Sequence, residues 1–170
     1  VAGSPISKAL LSALGIAPKR ALPPFVRQTF SDWFGKRQAR SSHLKVALFN
    51  DTYLNYNYPA AGIAATRLLE AAGYEVLLPD RRCCGRPLLS SGMIDQVKQN
   101  LAYNLQQLYP LVEQGYWIVG FEPSCVSMLT DDYLDLTDDP RARALAEHTC
   151  TIETFLLRLL DTDEAPVSFS

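Results

Sequence analysis

No Cys-x-x-Cys pair occurs among the four cysteines, which argues against a standard zinc knuckle. Four cysteines in 170 residues are also too few for a secreted disulfide framework. Free or metal-bound thiols in a reducing cytoplasm are expected instead. Glycine-rich phosphate loops of the GxGxxG or GxxxxGK type are missing, and so is a GxSxG nucleophile elbow. These absences argue against nucleotide binding and serine hydrolysis. No apolar run approaches the ~18 residues that a membrane span needs. The opening, VAGSPISKALLSALGIAPKR, has no charged stretch ahead of its apolar part and does not read as a secretory signal. Net charge is only -2, so nothing global points to nucleic acid. There is no internal repeat and no low-complexity tract.

What is present suits one globular domain. The chain is 48% hydrophobic and 20% charged, enough apolar content for a real core. Its charge is uneven. Residues 1–45 carry eight Lys/Arg against one Asp, and residues 131–164 carry ten acids against three Arg. Two solvated surfaces that attract each other explain this, as does a basic segment that docks on an acidic partner domain.

Residues 1–44 read as a basic, proline-rich lead-in. Within it, SPISKALLSALG suggests a short helix with Ser4 as N-cap, Pro5 at the first position and Gly15 as the stop. Phe25, Phe30, Trp33 and Phe34 need cover, which suits a linker wrapped over a domain surface. From Lys45 the pattern sharpens into an α/β repeat over 45–165. KVALFN (45–50), YEVLLP (74–79) and YWIVGFEP (116–123) read as buried strands. PAAGIAATRLLEAAG (59–73) reads as a helix with a glycine stop. Over 92–115, the spacing of Ile94, Val97, Leu101, Leu105, Leu108 and Val112 predicts one face of a long helix, with Pro110 kinking or breaking its last turn. PSCVSMLTDDYLDL (123–136) reads as a helix that starts near Cys125, and 140–160 as one or two more. The fold class is therefore α/β: a three-layer, Rossmann-like parallel sheet of at least three strands, flanked by helices. The closing PVSFS resembles the opening of a further strand, as in a fragment of a longer chain.

In such sheets, sites lie at the carboxyl ends of the strands. NDTYLNYNYP, DRRCCGRP and EPSC follow strands one, two and three, so all three segments converge on one edge. Cys83 and Cys84 are adjacent, and a disulfide between neighbours would be strained. As thiolates, both could face one metal site, with Arg81, Arg82 and Arg86 lowering their pKa. Gly85 would let the backbone approach whatever they hold. Cys125 would gain from a helix N-terminus. Sulfur ligands point to iron–sulfur or zinc; buried packing is the alternative. Cys150 reads as core. His43 is isolated, and helix phase separates His148 from Cys150. Tyr53, Tyr56 and Tyr58, with Asn55 and Asn57, either line a pocket or cap the strand end and cover the core edge.

The stretch KVALFNDTYLNYNYPAAGIAATRLLEAAGYEVLLPDRRCCGRPLLSSG, followed by IVGFEPSCVSML, resembles the first CCG repeat of the cysteine-rich domain. That domain occurs in one of the subunits of heterodisulfide reductase and in iron–sulfur subunits of glycolate, lactate and glycerol-3-phosphate oxidizing enzymes. The wording is most similar to the version fused behind an FAD-linked oxidase domain and a ferredoxin-like segment. LPPFVRQTFSDWFGKRQ resembles the linker of such fusions. The resemblance covers about 45–160 and implies one half of a pseudo-symmetric two-repeat domain. A complete repeat in the family carries five cysteines that can hold a [4Fe–4S] cluster. Cys83 and Cys84 match the CCG pair, and Cys125 matches the last cysteine of CxxC. Thr52 stands at the lone first cysteine and Glu122 at the first cysteine of CxxC, as EPSC does in the fused oxidases.

The resemblance implies part of an iron–sulfur oxidoreductase within an FAD-linked oxidase of 2-hydroxy acids, of glycolate or D-lactate type. Cys83, Cys84 and Cys125 would be its metal and cofactor ligands. FAD would sit on another domain, and the partners would be a second CCG repeat and the flavin and ferredoxin-like domains of the same intact chain. The fragment alone would not catalyse the flavin step. The implied location is the cytoplasm, either free or peripheral to the inner membrane. The alternatives are a cluster-free packing or assembly module and a dithiol redox site at Cys83–Cys84 or Cys83–Cys125.

Overall fold

Strand β1 (Lys45–Phe49) is buried along nearly its whole length, as an apolar run in the middle of a parallel sheet should be. The structure, a computed structural model, describes residues 4–15, 17 and 23–161. The strand expected at PVSFS lies outside the described residues. Beside β1 lie β2 (Glu75–Leu77), β3 (Trp117–Gly120) and β4 (Thr149–Thr151), in the order β2-β1-β3-β4 with every pairing parallel. In register, Ala47 faces Leu77 on one side and Ile118 on the other.

Alternation along the strands feeds two cores. Ala47, Phe49 and Ile118 point to one face, while Val46, Leu48 and Val119 point to the other. Helix α1 (Pro5–Ala13) precedes both layers in the chain. The first face is covered by α5 (Arg86–Ser90), α6 (Ile94–Glu113), α7 (Pro123–Ser127), α8 (Tyr133–Leu136) and α9 (Pro140–Glu147). The second is covered by α2 (Phe30–Phe34), α3 (Thr52–Tyr56), α4 (Pro59–Ala71) and α10 (Ile152–Asp161). The result is the expected three-layer α/β arrangement. From β1 the chain moves outward to β2 over one face. It then reverses to β3 and β4 over the other, as right-handed crossovers require when direction changes. That reversal opens a crevice between the carboxyl ends of β1 and β3.

Several elements follow the sequence pattern closely. Helix α1 starts at Ser4, whose side chain accepts from the Ser7 N–H. Helix α6 buries Val97, Leu101, Leu105, Leu108 and Val112. It runs through Pro110 instead of breaking there. The segment 140–160 differs from the all-helical expectation: β4 interrupts it, and Cys150 lies in that strand instead of on a helix. Three residues between two helices are too few to show alternation. Between α7 and α8, Met128–Asp132 forms a π-helical turn within one continuous helical path.

The aromatic lead-in is tied into the second core. Thr29 and Asp32 form a capping box at the start of α2. Phe30 is fully buried and lies so near Gly62 of α4 that a Cβ there would meet its ring at 2.8 Å. Arg37 lies over the Phe34 ring at 3.8 Å and pairs with Glu70 at 3.3 Å.

Candidate functional site

The loop after β1 begins with Asp51, whose carboxylate caps α3 by accepting from the Leu54 N–H at 2.9 Å. The loop after β3 begins with Glu122, which caps α7 and accepts from the Ser124 hydroxyl at 3.0 Å. The loop after β2 carries Cys83 and Cys84. These three loops enclose a cavity of about 530 Å³. Cys83, Cys84 and Cys125 line it together with Asp51, Thr52, Tyr53, Arg86 and Glu122. It lies in the crevice that the reversal of strand order opens.

All three sequence-predicted cysteines therefore reach one cavity, with different surroundings. Cys84 is buried, Cys125 half-buried and Cys83 exposed. The sulfurs of Cys84 and Cys125 are 3.1 Å apart. The hydrogen bond from Cys125 lowers the Cys84 thiol to about 7, against the opposing effect of burial. Cys125 is correspondingly pushed up, by that same hydrogen bond first and then by burial. Cys83 is also raised, chiefly by desolvation. The expected lowering of Cys125 by its helix N-terminus is thus outweighed by its neighbour.

The arginines also behave differently from expectation. Arg81 acts weakly on Cys84, after three hydrogen bonds. Its guanidinium lies 5.5 Å from the Phe49 ring centre, and that of Arg82 lies 4.6 Å from Tyr103. Arg86 is held by Asp132 and by Ser127 Oγ at 3.3 Å. Gly85 adopts φ +102°, and a Cβ there would meet Val97 Cγ1 at 3.1 Å. Glycine is therefore needed for the turn and for close packing on α6.

The residues that hold the cysteine turn were not singled out from sequence. Asn104 of α6 and Tyr133 of α8 are both fully buried. The Arg82 N–H donates to Asn104 Oδ1 at 2.8 Å, and Asn104 Nδ2 donates to the Tyr133 oxygen at 3.0 Å. The Tyr133 hydroxyl donates to the Cys84 carbonyl at 2.9 Å. Asn100 Nδ2 adds a bond to the Cys83 carbonyl at 3.2 Å. Two helices thus clamp the backbone of consecutive cysteines and fix where their thiols point. The readable signal was Asn104 itself, a polar residue on the apolar stripe of α6.

Tyr53, Tyr56 and Tyr58 neither cap the strand nor cover the core; all three are exposed, and Tyr53 lines the cavity. Buried Asn55 and Asn57 do the structural work instead. Asn55 Oδ1 accepts from the Ser31 N–H at 3.0 Å, and Asn57 Nδ2 donates to the Pro24 carbonyl at 2.9 Å. The Val26 N–H bonds the Tyr56 carbonyl at 2.9 Å. These bonds lay Pro23 and Phe25 along the cavity wall. Cys150 is buried on the opposite face, and His148 Nδ1 lies 2.9 Å from the Ala144 carbonyl.

Among the described residues, no three His, Cys, Asp or Glu side chains form a group that could hold a metal ion. The donor chemistry nevertheless suits a sulfur-ligated group. Three soft thiols share one cavity, and a [4Fe–4S] cluster takes four cysteines. The chain therefore offers part of a ligand set and does not close one. Among the described residues, no helix is long and apolar enough to cross a membrane.

The cysteine-rich domain family, designated CCG, matches residues 46–130, half of the chain. A component of the anaerobic glycerol-3-phosphate dehydrogenase of Escherichia coli K12 is 29% identical over 161 residues, covering 92% of this chain and 40% of the relative. Lactate utilization protein A of Exiguobacterium sp. is 33% identical over 129 residues, covering 73% of this chain and 52% of the relative. The same-named protein of Halalkalibacterium halodurans is 31% identical over 126 residues, covering 71% and 50%. The chain thus spans about half, or less, of the length of these curated relatives. No solved structure matches at a significant level. The chain belongs to the CCG cysteine-rich domain family.

Proposed function

We propose that this chain carries electrons as part of an iron–sulfur oxidoreductase, within a larger FAD-linked assembly that oxidizes a 2-hydroxy acid of glycolate or D-lactate type. Residues 45–165 form the cysteine-rich repeat of this reading, and residues 1–44 its lead-in. The observation that carries it is the convergence of Cys83, Cys84 and Cys125 on one cavity at the strand ends. The relatives' names support it, since they refer to a glycerol-3-phosphate dehydrogenase and to lactate utilization.

Cys83, Cys84 and Cys125 would hold part of an iron–sulfur cluster of the [4Fe–4S] class, and a second CCG repeat would supply the missing ligands. Such a cluster supplies electron transfer when bound. The chain's own contribution is placement and exclusion. Asn104, Tyr133 and Asn100 fix the cysteine turn. Pro23 and Phe25 wall one side of the cavity. The Arg86–Asp132 pair holds the turn after Gly85 to the helical path that carries Cys125.

The test uses the longer protein, purified without oxygen, with iron and sulfide measured beside the flavin. Cys83→Ser, Cys84→Ser and Cys125→Ser are each expected to lower iron and sulfide. They should also slow electron delivery to an external acceptor while leaving flavin reduction by the hydroxy acid intact. Unchanged iron content in all three variants would sink this reading.

A further inference from the structure

We propose that Cys84 and Cys125 are a reactive dithiol pair, able to close a reversible disulfide across the cavity by exchange with a low-molecular-weight disulfide. This goes beyond the metal reading and concerns the metal-free chain, since that reading assigns the same two thiols to a cluster. The pair is assigned by three observations. The two sulfurs lie 3.1 Å apart, where a bond would bring them to about 2.05 Å. Both residues line a cavity of about 530 Å³, which gives a small disulfide room to reach them. The backbone on the Cys84 side is held by the Tyr133 hydroxyl, and Cys125 lies within α7, so the thiols meet from two anchored elements.

The geometry also selects this pair over a Cys83–Cys84 bridge and over any bridge to Cys150. Cys83 and Cys84 are neighbours in sequence, and joining them would require a distorted peptide. Cys84 and Cys125 are 41 residues apart and approach through space. Cys150 packs in the core on the opposite face of the sheet and cannot take part.

The chemistry balances as two exchanges. The thiolate of one member attacks a sulfur of the small disulfide, forming a mixed disulfide and releasing one small thiolate. The second member gives its proton to that thiolate and attacks the protein-side sulfur, releasing the second small thiolate, which takes up from solvent the proton that the first member lost on ionizing. The sulfurs of Cys84 and Cys125 are oxidized, and the two sulfurs of the small disulfide are reduced.

The experiment takes the full chain, freed of bound metal with chelator and reductant, and treats it with glutathione disulfide. Non-reducing peptide mapping is expected to find Cys84 joined to Cys125 by a bond that dithiothreitol reverses. Cys83→Ser should leave that bridge in place, and Cys125→Ser should trap a glutathione adduct on Cys84. Mapping of the unsubstituted chain decides the matter even if a variant folds poorly. Free thiols throughout, glutathione adducts without a bridge, or a Cys83–Cys84 bridge would each overturn the proposal.

Discussion

Cys84 and Cys150 are buried almost equally, at 2% and 6% exposure, on opposite faces of one sheet. Their surroundings are not alike. The Cys150 face is dominated by aromatic and aliphatic contacts: Phe30, Trp33 and Phe34 cluster together, and Tyr74 meets Phe155 edge-on. Burial pushes the Cys150 thiol up, as expected for a thiol with little to stabilise its anion. The Cys84 face places a polar network inside an apolar core. There the Cys125 sulfur, the Arg86 backbone N–H and the Cys83 thiol bring the Cys84 thiol down despite burial. Depth therefore does not decide what a cysteine does in this fold. Its hydrogen-bond partners do.

Breaking the dry face should cost most. Phe30→Ala removes a fully buried ring and is expected to lose about 3–5 kcal/mol in urea unfolding. A loss below about 1 kcal/mol would show that the lead-in is not part of the second core. Breaking the polar face should cost less in stability and more in thiol behaviour. Asn104→Leu strands the Arg82 N–H, with an expected loss of about 1–3 kcal/mol. Alkylation of Cys83 should also become faster, because Asn104 no longer holds the Arg82 N–H or braces the Tyr133 hydroxyl. A loss of stability without any change in alkylation would assign Asn104 to packing alone. The smallest effect should come from Cys150→Ala, about 1 kcal/mol near neutral pH. Here the pH dependence carries the information. The folded thiol of Cys150 is raised above its unfolded value, so its contribution is fully present below about pH 8.5 and is lost as pH climbs through the folded value. The variant should therefore lose less stability between neutral and alkaline pH than the unsubstituted chain. Parallel alkaline profiles for the two would contradict this.

Long apolar patterns were legible because they report burial directly. β1 and the stripe of α6 follow from residue type and spacing alone, and the convergence of strand-end loops follows from a parallel sheet. Features that depend on a partner distant in sequence were not legible. The threonines and cysteine of β4 gain strand character only by pairing with β3. The arginines around the cysteine turn look like thiol activators in one dimension, yet Phe49, Tyr103 and Asp132 occupy them in three. Asn104 is visible as an interruption of an apolar stripe, but its partners lie 22 and 29 residues away. The site was thus legible in its cysteines and hidden in what orients them.

The π-helical turn at Met128–Asp132 has an angular consequence for the cysteine turn. Regular α-helix advances about 100° per residue, so two side chains eight positions apart would point about 80° away from each other. A π turn closes with one more residue and advances about 80° at each step. Five such steps bring Tyr133 back to within about 20° of Cys125. One surplus residue thus works as a phase corrector: it lets a single helical rod aim a sulfur and a phenol at one and the same residue, the Cys125 thiol at the Cys84 sulfur and the Tyr133 hydroxyl at the Cys84 carbonyl.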